Sequence, residues 1–343
     1  MIMRKNQYIL FSAFIKMYNS IMSKGSAFIK KHKCLSGVRN SKIVPITQAI
    51  YEFVFRLFWW NKNVIEIQGS RMYVNLFDKD PSMRRTFRAY AINKVHEEFT
   101  TALFRKIVKE GDVVVDLGAN IGYFTLLAAK LVGKKGKVYA FEPEPRNYQY
   151  LIRNIRLNGY DNVVALQKAV ADKPGTVKLF ICPYDTGHHT IQKYDGIHAY
   201  RPDFVNEKKE FVEVEQVRLD DFLRGKTTMI NVIKMDVEGA EMLALAGMEQ
   251  LIKGNKNLIM LIEFFPLLIK EMGQSPEEFA RRLLEDFHFK MYVVEHDYSM
   301  RDRVPREDQL RIRSVDQLMG LCKERNDHFN LYLEKSEPDR PAL

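Results

Sequence analysis

The stretch VVVDLGANIGYF, residues 113–124, constrains the fold of this chain more than any other. Three consecutive β-branched valines read as a strand buried on both faces, as in a parallel sheet. Asp116 stops the run, and Gly118 and Gly122 follow before the apolar helix YFTLLAAKLV. Strand, lean turn and helix in that order make one unit of an α/β fold. Glycine carries no Cβ, so a ligand can approach the turn closely.

Downstream, strands and helices alternate, the pattern of a doubly wound sheet. DVVVDL, KVYAFEP, NVVALQKAV, INVIKMD, NLIMLIEFF, FKMYVVE and FNLYLEK supply seven strands, enough for one complete sheet. Upstream, NVIEIQGSRMYVNLF predicts a hairpin with Gly69 in its turn, and residues 84–109 have helical periodicity. About 60 residues separate the third strand from the fourth, far more than a crossover needs. TVKLFICPY and FVEVEQVRL alternate as strands in that insertion, and LDDFL returns the chain to the sheet as a short helix. The loop between them, DTGHHTIQKYDGIHAY, carries three histidines, and long loops in α/β enzymes commonly cover substrate. The chain thus divides into an arm (1–60), a hairpin with lead-in helices (61–110), the main α/β domain (111–335) and a tail (336–343).

A dinucleotide fold would place glycines as G-x-G-x-x-G, seating pyrophosphate on the helix N-terminus. Here Asn120 holds the middle position and the bulky Tyr123 follows Gly122. A smaller ligand with a charged amino-acid end suits the turn better, with Asp116 meeting an ammonium beside Gly118 and Asn120. Glu142, 26 residues after Asp116 at the tip of the second strand, can accept hydrogen bonds from both hydroxyls of a ribose. Turn, strand and acid together point to S-adenosylmethionine.

DLGANIGYFTLLAAK, FEPEP, NIRLNG, KAVADK, VRLDDFL, KMDVEGAE and the closing NLYLEK together resemble the FkbM-type S-adenosylmethionine-dependent methyltransferases, over about residues 90–335. The resemblance implies a seven-stranded, Rossmann-like class I methyltransferase sheet. It also implies methyl transfer, typically to an oxygen of a sugar, polyketide or other small molecule. Asp116, Gly118, Asn120 and Gly122 would hold the methionine end of the cofactor and Glu142 its ribose. Ala169 would lie beside adenine, and Asp236 where cofactor and acceptor meet.

Methylating an alcohol needs a base, because alkoxide is negligible at neutral pH. In INVIKMDVEGAE, Lys234, Asp236 and Glu238 alternate at a strand end and so share one side. Asp236 and Glu238 are carboxylates that orient a hydroxyl and accept its proton; the alternative is a salt-bridged strand end with Glu238 or Glu241 capping the next helix. His188 and His189 in the insertion compete for the base role, His189 being the favoured one. Glu263, in LIEFFP, points to the same cleft. Asp185, His188 and His189 lack a second cluster of ligands, so no metal is expected.

Charge separates the arm from the rest. The net charge is +10, and residues 1–60 hold ten basic residues against the single acid Glu52. QYILFSAFIKMYNSIMS and ITQAIYEFVFRLFWW are apolar with helical spacing, yet charges interrupt both, so neither reads as a membrane span. Two readings stand: helices packed on the fold or a second subunit, and a cationic amphipathic arm on an anionic membrane surface. Cys34, Cys182 and Cys322 show neither disulfide nor metal spacing, which fits a cytoplasmic protein, peripheral on the inner membrane face under the second reading. Nucleic acid is the weaker partner, since the main domain is nearly neutral and its fourth strand ends in KMDVEG, not the N-P-P-[YF] turn that grips a flipped base. RNA ribose or cap methylation, a non-catalytic scaffold and a dehydrogenase are the rival functions.

Overall fold

Gln68 and Gly69 both take positive φ, 50° and 74°. A two-residue turn of this kind matches the twist of the strands it joins, here β1 (Val64–Ile67) and β2 (Ser70–Tyr73). The structure is a computed structural model that describes residues 63–183, 186–191, 210–227, 229–294, 311–324 and 327–335. The arm, the tail and most of the histidine-bearing loop, His198 included, lie outside the described residues.

The helical span expected at 84–109 is two helices, α1 (Pro81–Asn93) and α2 (Glu98–Ile107). Lys94 and Glu97 break it with φ of 62° and 45°, in the left-handed region that a helix cannot continue through. That break turns the His96-Glu97 pair toward the end of the main sheet, as described below.

The main sheet contains all seven expected strands. They are β3 (Val113–Leu117), β4 (Lys137–Phe141), β5 (Val163–Leu166), β9 (Val232–Met235), β10 (Ile259–Phe264), β11 (Lys290–Val293) and β13 (Phe329–Glu334). The short β12 (Arg311–Ile312) adds an eighth at the edge, giving the order β12-β11-β13-β10-β9-β3-β4-β5. β5, β4, β3, β9 and β10 run parallel; β13 inserts antiparallel beside β10. The order reverses between β3 and β9, where an open sheet leaves a crevice beyond the strand ends. β3 and β9 are buried almost throughout, which is why both read as continuous apolar runs.

The third expected strand, NVVALQKAV, is two. β5 ends at Leu166, and β6 (Ala169–Val170) joins a separate three-stranded sheet with β7 (Gly175–Phe180) and β8 (Phe211–Val217), in the order β6-β8-β7. The insertion strands therefore form a second sheet that starts within the third strand itself. LDDFL forms the expected helix, at Leu219–Leu223.

α3 (Tyr123–Val132) and α4 (Pro145–Asn158) flank β3 and β4. Two asparagines of NIRLNG, Asn154 and Asn158, accept the Tyr73 and Arg71 amides of β2 at 2.7 Å each. Asn154 also donates to Ile121 O at 2.8 Å, so the hairpin edge is anchored to the helix that buttresses the glycine turn.

Candidate active site

The glycine turn is held from the neighbouring strand. Gly118 and Ala119 both donate their amides to Phe141 O at 3.0 Å. This folds the turn back over β4 and brings the Asn120 amide to within 2.7 Å of Glu142 Oε2. Glu142 Oε1 accepts the Glu144 amide at 2.9 Å. The carboxyl is 5% exposed, and burial pushes its pKa up to about 8 against the opposing effect of the two amides. Asp116, fully buried at the end of β3, accepts the Thr125 hydroxyl at 2.5 Å. Burial raises its pKa, and the nearby Lys234 ammonium works the other way.

The two glycines serve the chain more than a ligand. A Cβ on Gly118 would lie 1.8 Å from Asp236 O, because the turn packs against the end of β9. A Cβ on Gly122 would meet Leu151 Cδ1 at 2.8 Å, and Gly122 is not in the cavity wall at all. The φ of 102° at Gly122 starts α3 and admits the α4 side chain.

At the end of β9 the buried Lys234 ammonium pairs with Asp236 Oδ2 at 2.8 Å and lies 4.8 Å from the centre of the Phe124 ring. Burial acts to deprotonate Lys234, but Asp236, Glu97 and Asp116 outweigh it and hold the charge. Glu238 reaches the same face by a different route from the one expected. The strand stops at Met235, and Glu238 has a φ of 51°, so a turn and not strand alternation aims its carboxylate. Glu241 caps locally, accepting the Gly239 amide at 3.2 Å.

The insertion closes over these groups. Phe180 and Thr190 exchange backbone hydrogen bonds of 2.7 and 3.2 Å, and the Thr190 hydroxyl donates to Glu238 O at 3.1 Å. His188 Nδ1 lies 2.9 Å from Glu238 Oε1. His189 Nδ1 accepts the Cys182 amide at 3.0 Å. With that lone pair engaged, the neutral ring carries its proton on Nε2, where it donates and cannot accept. This argues against the expectation that His189 is the base.

Two adjoining cavities result. A narrow cleft of about 90 Å³ runs along Asp116, Gly118, Asn120, Glu142, Ala169 and His189. A roomier one of about 440 Å³ is lined by Arg85, Glu97, His188, Glu263 and His328. Tyr90, His96, Asn120, Thr186, Asp236 and Glu238 belong to both walls. Asp236, Glu238 and Glu263 bring carboxylate oxygens within 4.8 Å of one another. Burial first, then the Asp236 and Glu238 charges, raises the Glu263 pKa well above its ordinary value. Tyr90, His96 and Glu97 were missed in the sequence because they precede the domain's first strand and carry no motif.

Residues 116–311 match the family described as the methyltransferase FkbM domain, more than half of the chain. The chain belongs to the FkbM methyltransferase family. Methyltransferase sdnD of Sordaria araneosa is 31% identical over 191 residues, covering 47% of this chain and 72% of that one. Methyltransferase 1 of Beauveria bassiana is 28% identical over 203 residues, or 55% and 76% of the two chains. The 31-O-demethyl-FK506 methyltransferase FkbM of Streptomyces tacrolimicus is 32% identical over 168 residues, or 41% and 61%.

S-adenosylmethionine is the cofactor of this FkbM-type chain, and the polar groups along the narrow cleft suit it. Glu142 is a buried carboxyl at the cleft wall with one backbone amide on each oxygen, and each oxygen has a further lone pair to accept a donor. A ribose diol supplies two donors. Asp116, Asn120 and Ala169 line the same cleft.

Proposed function

We propose that this FkbM-type methyltransferase methylates a hydroxyl on a small polar acceptor, such as a sugar, a glycan or the head of a lipid-linked molecule. The observation that carries the proposal is the shared wall. The cofactor cleft and the larger cavity meet at Asp236 and Glu238, so an acceptor in one is adjacent to a cofactor in the other. Arg85, Asn93, Glu97, His188 and Glu263 set hydrogen-bonding groups into the second cavity's wall, which suits an acceptor that carries hydroxyls.

In this reading Asp116 and Asn120 bind the methionine end, Gly118 lets the turn pack beside it, Glu142 holds the ribose and Ala169 flanks the adenine. The bound cofactor supplies a sulfonium-activated methyl group. Asp236, fixed by Lys234, and Glu238, fixed by His188, accept hydrogen bonds from the acceptor and align its oxygen with that methyl. His189 donates from the cleft wall. A phosphodiester entering the second cavity would face Glu97, Asp236 and Glu238 together, which weighs against RNA as the acceptor.

The test is incubation of the full-length protein with S-adenosylmethionine carrying a labelled methyl group and a fractionated polar cell extract. Label should appear in a product as an O-methyl ether. Label found only on nitrogen or carbon would overturn the reading.

A further inference from the structure

His96 sits where the two cavities meet, and its ring is held from three sides. Tyr90 of α1 and Tyr123 of α3 both pack edge to face against it, each with centroids 5.6 Å away. On the third side, His96 Nε2 lies 3.3 Å from Glu97 Oε1. Glu97 is itself positioned: its side chain is 5% exposed, and its other oxygen accepts Asn330 Nδ2 at 3.0 Å. Asn330 lies on β13, directly opposite Glu263 in the β10–β13 register, and also donates to the Thr100 hydroxyl at 2.8 Å. Glu97 takes a φ of 45° to make this contact, a backbone conformation that a non-glycine residue adopts only under strain.

We propose that His96 is the base that takes the acceptor's proton, with Glu97 and Asn330 as positioning residues that fix its tautomer and ring. The inference rests on the O-methylation reading above. A carboxylate on Nε2 holds the ring proton there and leaves the Nδ1 lone pair as the proton acceptor. The other candidates are arranged for different tasks. His189 uses its Nδ1 lone pair on a backbone amide, His188 lines the larger cavity and not the cofactor cleft, Asp236 is paired with Lys234, and Glu238 is paired with His188.

The step balances as follows. The acceptor O–H bond breaks and its proton passes to His96 Nδ1. An oxygen electron pair forms the O–CH3 bond, and the C–S pair returns to sulfur, leaving the neutral thioether S-adenosylhomocysteine. The imidazolium, facing the Glu97 carboxylate, then releases its proton to water.

The electrostatics around the ring support the role. The His96 side chain is 46% exposed, so the neighbouring charges matter more than burial: Glu97 and Asp236 raise its pKa, Lys234 lowers it, and the balance lies above the usual histidine value. Tyr90 and Tyr123, the titratable groups facing the ring from α1 and α3, present ring faces and edges.

The test uses full-length protein and two readouts. In the first, 15N-histidine NMR without cofactor should show His96 as the Nε2–H tautomer, and Glu97→Gln should lower its pKa. In the second, methyl transfer from labelled S-adenosylmethionine to the polar extract fraction is followed against pH. His96→Gln should transfer about 100-fold more slowly or worse while binding S-adenosylhomocysteine within about threefold of wild type. Glu97→Gln should move the acid limb of the rate profile to lower pH. An Nδ1–H tautomer, a full rate in His96→Gln, or an unmoved acid limb in Glu97→Gln overturns the base while O-methylation stands. Wild-type protein that binds no S-adenosylhomocysteine and transfers no label overturns both.

Discussion

The Glu142 carboxylate accepts the Asn120 amide at 2.7 Å, joining the tip of β4 to the glycine turn after β3. Asn120 is in the left-handed region, φ 50°, and the turn beneath it is held by Phe141 O. Two neighbouring loops therefore behave as one rigid edge of the cofactor cleft. An acid held this way needs no loop closure to meet a ribose.

Burial of Glu142 and of Glu241, each with a pKa of about 8, makes stability depend on pH. The folded chain keeps protons that the unfolded chain has lost above about pH 4.5. Stability should therefore fall between about pH 4.5 and 8 and level off beyond, because the native state binds more protons in that window. Thermal melts across that range check it. Glu142→Gln should flatten part of the slope and raise the melting temperature at pH 8; an unchanged slope would contradict the burial argument.

Asp236→Asn keeps the side-chain shape but removes the charge that faces Lys234, which is buried. Breaking such a pair from one side costs about 3 kcal/mol, so denaturant midpoints should drop. Turnover should fall by about 100-fold, because the acceptor hydroxyl loses an orienting carboxylate. S-adenosylhomocysteine affinity should change far less, and an equal loss of affinity and rate would place Asp236 on the cofactor alone.

Gly118→Ala and Gly122→Ala separate the two glycines. A Cβ at Gly118 collides with the backbone oxygen of Asp236, whereas one at Gly122 meets only a side-chain methyl of Leu151. Gly118→Ala should cost about 3 kcal/mol or more, Gly122→Ala roughly half that, mostly for its left-handed backbone. Chemical denaturation in parallel gives the ranking, and a reversed order would refute this packing.

Three carboxylates within 4.8 Å raise the question of a cation. The Lys234 ammonium already pairs with Asp236, so methyl transfer should persist through dialysis against EDTA. Activity that vanishes and returns with added Mg²⁺ would instead assign the cluster to a metal.

The +9 arm of residues 1–60 should bring the full-length protein down with anionic liposomes at low salt and release it at high salt, since each basic residue near the surface contributes about 1 kcal/mol. Indifference to such liposomes would favour a packing or subunit contact. Among the described residues, no helix is long and apolar enough to cross a membrane.

What could be read in the sequence follows the physics of each element. β3 and β9 announce themselves because strands covered on both faces are apolar throughout, and Glu142 because the strand before it fixes its position. The break at Gln167-Lys168 was invisible: NVVALQKAV alternates smoothly across a change of sheet. Glu238 was placed on the right face for the wrong reason, since nothing in KMDVEGAE shows that the strand stops at Met235. His96 and Glu97 were hidden most deeply. Their placement depends on two left-handed residues in a segment with helical periodicity and on Asn330, 233 positions away from Glu97.

The most direct test of the cofactor assignment is calorimetric titration of full-length wild type and Glu142→Ala with S-adenosylhomocysteine. At about pH 9, where the Glu142 carboxyl is ionised, two hydroxyl donors on a charged acceptor predict a loss of about 1.5–3 kcal/mol, roughly 10- to 150-fold in affinity, in a variant that stays folded. Equal affinity in the two proteins, or no binding by wild type, would contradict the account.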